Sequence, residues 1–139
     1  MNFNNDTDTD NYEHILIEYK NMQNQKKYII DKLMVEPHIN NRYMHSLSSY
    51  LFVSEIDTLV EGTYLRWILK NDKQNNYKLS KGAIYCKTII GNSDNIMCVC
   101  KNPFNHTYFH ISFDSFYIFR KMTQQELLIL YAIQSIDNS

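Results

Sequence analysis

The stretch Asn95–Phe113, NIMCVCKNPFNHTYFHISF, decides how this chain is read. It holds two of the three cysteines and two of the five histidines, as Cys-x-Cys followed by His-x3-His. Cys98, Cys100, His106 and His110 are the ligand types of a Cys2His2 zinc centre. Zinc needs them tetrahedral, with Zn–S about 2.3 Å. Side chains at i and i+2 of a strand share a face, but their Cβ atoms lie roughly 7 Å apart. That is too far for two thiolates on one ion, and the chain has no Cys-x2-Cys knuckle. The competing reading is a β-hairpin. Ile96, Cys98 and Cys100 alternate with Met97, Val99 and Lys101, and cysteine behaves there as a small hydrophobe. After an Asn-Pro-Phe-Asn turn, Thr107, Phe109, Ile111 and Phe113 form the core-facing stripe, with His106, Tyr108, His110 and Ser112 opposite. The hairpin is preferred, and neither metal nor cofactor is expected.

Short strands continue on both sides of it. Thr63–Lys70 alternates, placing Leu65, Trp67 and Leu69 inward. Tyr77–Ile90 continues the pattern around Gly82, which marks a bulge or bend. Leu47–Ser54 and Phe116–Lys121 are further candidates. The turns between them carry Glu61-Gly62, Asn71–Asn76 and Gly91–Asn95.

The flanks have helical period. Tyr12, Ile15, Leu16, Tyr19, Met22, Lys26, Ile29, Ile30, Leu33 and Met34 recur every three or four residues. They predict an amphipathic helix over 12–36, or two pieces broken near Asn24, ended by Glu36-Pro37. His38–Ser46 is read as a connector. At 123–136, Thr-Gln-Gln-Glu matches a capping box ahead of a leucine-rich stripe. Residues 1–11 are read as a disordered polar tail. The expected fold is α+β: one domain over 12–136, with a small SH3- or Sm-like antiparallel barrel of five or six strands at 47–121 and a helix at each end.

Charge excludes little. The net is −1, split into −3 over 1–41, +4 over 42–121 and −2 over 122–139. The N-terminus lacks a basic and apolar leader, no run approaches a membrane span, and two neighbouring cysteines suit a reducing compartment. An intracellular protein without a signal peptide is expected, with no membrane partner.

No nucleophile elbow, phosphate loop, dinucleotide fingerprint or His-Glu-x-x-His motif occurs. Cysteines within apolar strands are poor nucleophiles, so no catalytic residue is assigned. Two binding surfaces are expected instead. Tyr19, Met22, Ile29 and Met34 form a helical stripe for docking another protein or a second copy. Tyr64, Arg66, Lys70, Lys87, Tyr108 and Arg120 can fall on outward strand positions, where rings stack bases and cations hold phosphates of RNA or single-stranded DNA.

The strand Gly62–Ile68 (GTYLRWI) and the segment Leu79–Ile84 (LSKGAI) resemble motifs of uncharacterised small β-domains in large nucleocytoplasmic DNA viruses, over residues 59–121. The resemblance implies a viral origin, in host cytoplasm or virion, and carries no functional residues. The role expected from sequence is a non-enzymatic protein-binding or assembly module, a virion component included, with the nucleic-acid-binding barrel as alternative.

Overall fold

The computed structural model describes the main chain of residues 3–137 and the side chains of residues 13–136. Helix α1 spans Phe3–Lys32 without a break, and α2 spans Pro37–Ser46. Strands follow at β1 Tyr50–Phe52, β2 Tyr64–Leu69, β3 Ala83–Ile90, β4 Ile96–Lys101, β5 Tyr108–Ser112 and β6 Phe116–Lys121, and α3 follows at Gln124–Asp137.

The helical ends differ from expectation in two places. α1 begins at Phe3, inside the stretch read as a tail; residues 1 and 2 lie outside the described residues. Once packing has nucleated a helix, each further residue adds a hydrogen bond at little cost, so a polar segment can prolong it. The presumed connector is α2. Its proline sits in the first turn, where no amide hydrogen is needed, and Glu36 before it is extended at φ −57, ψ 146. Between the helices Met34 turns left-handed at φ 54, the conformation that ends many helices.

The six strands form one antiparallel sheet in the order β1-β6-β2-β3-β4-β5. It is not a closed barrel: β1 and β5 are opposite edges and do not pair. Closure depends on pairing between sequence-distant strands, which alternation along each strand does not report. The sheet nevertheless curls. Trp67 on β2 and Phe109 on β5 bring their ring centroids to 5.8 Å, although a flat sheet would separate those strands by roughly 14 Å.

Curling gives the sheet two cores. On the concave side Leu65, Ala83, Tyr85, Cys98, Cys100, Ile111 and Ile118 are buried, with Trp67, Phe109, Phe113 and Phe116 packed beside them. On the convex side α1, α2 and the turns that follow them cover Tyr50, Ile68 and Phe119 with Ile29, Ile30, Leu33 and Leu47. β6 shows the consequence, since Phe116 and Ile118 serve one core, Tyr117 and Phe119 the other. On β2, Leu65 is buried as expected and Trp67 half-buried, but Leu69 is exposed and Ile68 fully buried. The helix-covered face therefore takes a stripe that reads as outward in sequence.

β3 starts later than expected. Residues 77–82 are irregular, held by Tyr43 of α2, whose hydroxyl donates to the Tyr77 carbonyl at 2.8 Å. Gly82, at φ +98, passes so close to β2 that a Cβ there would meet the Leu65 carbonyl oxygen and the Tyr64 ring. This is the expected bend. The register shift lies further on, between Tyr85 and Lys87.

Candidate functional site

The cysteine–histidine segment is the β4–β5 hairpin. Cys98 pairs with Ile111 and Cys100 with Phe109, whereas His110 pairs with Val99 on the other face. His106 is exposed in the connecting loop, at φ 61. The four side chains thus point to three different places. Among the described residues no group of three or more His, Cys, Asp or Glu lies together. Burial drives the Cys98 thiol up to about 11 and the Cys100 thiol up to about 12. Both remain protonated near neutrality, the wrong state for a nucleophile or a ligand.

The proposed docking stripe on α1 is divided among three environments. Ile29 is in the convex core. Tyr19 and Met22 pack against Leu51, Met122 and Leu130, where α1, β1 and α3 meet. Met34 alone is free of the core, at 89% exposure. Tyr19 also donates to Glu126 at 2.8 Å.

The basic and aromatic set is likewise split. Arg120 is committed: its guanidinium grips the Glu126 carboxylate through two bonds of 2.7 and 2.8 Å. Glu126 also accepts the Thr123 amide, while the Thr123 hydroxyl accepts the Glu126 amide, so the expected capping box is present. Burial would raise the Glu126 carboxyl, but the bonds from Arg120, Thr123 and Tyr19 outweigh it and hold it at about 2. Arg66 donates to the Ser80 carbonyl at 2.8 Å, and Lys70 lies over the Tyr117 ring. Lys87 and Tyr108 share the half of the convex face that the helices leave bare, whereas Tyr64 packs against the helix-covered core. Tyr64 pairs with Ile84, Ile84 with Lys101 and Lys101 with Tyr108, forming one row across four strands. Lys87, Val99 and His110 form a parallel row. Lys101, overlooked in the sequence, sits 5.9 Å from the Tyr108 ring. Its alternation with Cys100 was the available signal. No acidic residue occurs in any of the six strands.

A cleft of about 590 Å³ opens between α1 and the β1–β6 end of the convex face. Phe52 and Tyr117 are its floor, with their rings edge to face at 6.4 Å. Asn21, Asn24 and Gln25 line one wall, and Tyr28 and Lys32 stand at the rim. It falls in the size range of ligand pockets.

Among the described residues the core holds one charged side chain, Lys26, at 1% exposure. Its ammonium donates to the Leu47 and Tyr50 carbonyls at 2.8 and 2.9 Å. Burial without a carboxylate partner draws its pKa down to about 8.

No helix among the described residues is long and apolar enough to cross a membrane. No protein-family model, curated protein or solved structure matches this chain.

Proposed function

We propose that the chain is a non-enzymatic protein-binding module that receives an extended segment of another protein in the cleft beneath α1. The observation that carries this reading is the chemistry of that cleft. An aromatic floor takes a bulky apolar side chain. Three neutral amides offer both donors and acceptors, which suits peptide backbone. Lys32 at the rim favours an acidic residue beside the apolar anchor. Selection of displayed peptides on the wild-type protein tests this. Bound sequences should carry an aromatic or large aliphatic residue next to Asp or Glu. Asn24→Trp, which fills the cleft from an exposed helical position, should weaken them about tenfold or more. Peptides that bind the filled variant equally well would remove the cleft from consideration.

A second reading places single-stranded nucleic acid on the bare half of the convex face. Tyr108 offers an exposed ring, Lys87 and Lys101 offer charge, and the acid-free strands present nothing to repel phosphate. Its signature is oligonucleotide binding that weakens with salt and whose salt dependence falls in Lys87→Ala and Lys101→Ala.

A further inference from the structure

The two edges of the sheet are finished differently. β1 is three residues long and lies against α1. β5 is five residues, Tyr-Phe-His-Ile-Ser, with no proline, lysine or other formal charge and no register shift against β4. Charges, prolines, bulges and short length are the devices that keep edge strands from pairing, and β5 has none of them.

Its hydrogen-bonding phase is set by its neighbour. Phe113 donates to Ile96 and Asn102 donates to Thr107, at 2.9 and 2.8 Å. Odd-numbered residues of this strand therefore face β4, and the N–H groups of Tyr108, His110 and Ser112 face away from the sheet. The outward groups are symmetric about His110. The strand can therefore pair antiparallel with itself across a two-fold axis through that residue, Tyr108 opposite Ser112 of the other copy. In that register Phe109 meets Ile111 of the second copy on the concave side. The half-buried stripe Phe109–Phe113 is thereby continued by a second apolar stripe. From Thr107 to Phe113 there is no formal charge, so identical strands meet without repulsion.

We infer that β5 is a self-association edge, joining two copies of this chain into one continuous antiparallel sheet. A two-fold pairing of this kind closes on itself and does not propagate.

Light scattering after gel filtration over a dilution series tests it. The expected species at high concentration is a dimer of about twice 16.6 kDa. His110→Pro removes a single outward amide, at the edge position where proline is tolerated. It should raise the dissociation constant about tenfold or more while leaving the circular dichroism spectrum unchanged. A second measurement needs no variant. Amide exchange at Tyr108 and His110 should slow with rising protein concentration, while that at the exposed loop residue Phe104 should not. A wild-type protein that stays monomeric up to about 1 mM overturns the inference. So does a dimer that ignores His110→Pro, or one whose edge amides exchange equally fast at every concentration. Asn24→Trp should leave the dimer intact; loss of the dimer there instead would move the contact to α1.

Discussion

Trp67 and Phe109 touch across the concave face from strands three places apart in the sheet, their planes inclined at 57°. This contact records the curl. It joins β2, which is gripped by the helix-covered half, to the edge strand β5, which has only β4 as a strand neighbour. Trp67→Ala should lower unfolding free energy by about 2–3 kcal/mol, the low end for an aromatic truncation because both rings are half-buried. The double variant with Phe109→Ala should show a coupling of about 0.5–1.5 kcal/mol in denaturant unfolding. Additive effects would mean that the two rings do not meet.

Glu126 ties the last helix to the rest of the molecule through Arg120, Tyr19 and Thr123. Its folded pKa, about 2, lies below the ordinary 4.5. The stabilisation is therefore complete above pH 4.5 and is lost as pH falls toward 2. Glu126→Gln should destabilise the protein by about 2–3 kcal/mol at neutral pH. Its difference from wild type should shrink through that acid window, as read from urea midpoints at successive pH values.

Lys26 predicts the opposite slope. A lysine lowered from 10.5 to about 8 binds its proton less readily folded than unfolded. Stability should therefore rise with pH from about 8 to 10.5, by roughly 3–4 kcal/mol for a shift of that size. The neutral amine retains two hydrogens for the two carbonyls it serves. Lys26→Met should lack this rise, so the difference between the two proteins isolates it from the titration of tyrosines and cysteines.

Cys98 and Cys100 are fully buried protonated thiols. A thiol reagent at neutral pH should modify neither until the hairpin opens, leaving only the half-buried Cys86 reactive before denaturant is added. Titration with zinc should show no stoichiometric tetrahedral site. Rapid labelling of all three in native buffer would contradict the packing of the concave core.

The hairpin was legible because Phe109 and Ile111 alternate with His110 and Ser112, and period-two alternation is a local property. The capping box at Thr123 was legible for the same reason. α2 was not, since its ten residues (PHINNRYMHS) are mostly polar and bury none of their number fully. Their role is to hold the chain near Tyr77 and over the sheet. The convex core was missed because Ile68 alternates as an outward residue until α1 is laid across it. Arg120 was read as a phosphate contact, although the acid that occupies it lies only six residues away, at Glu126. Lys26 already interrupts the apolar stripe of α1 in the sequence. What alternation and period could not supply is the partner of each strand, and hence whether the sheet closes.

That last point has a bearing on how the molecule is made. β6 lies between β1 and β2, yet a ribosome delivers it after every other strand. Until Phe116–Lys121 emerges, the two strands it must bridge have no ladder to join. The N-terminal third of the chain has to wait, with its apolar stripe uncovered, for a segment some sixty residues downstream. A nascent chain halted before Phe116 therefore lacks more than β6 and α3: β1 is left without its strand partner, and chaperone capture of that intermediate is the natural consequence of the strand order.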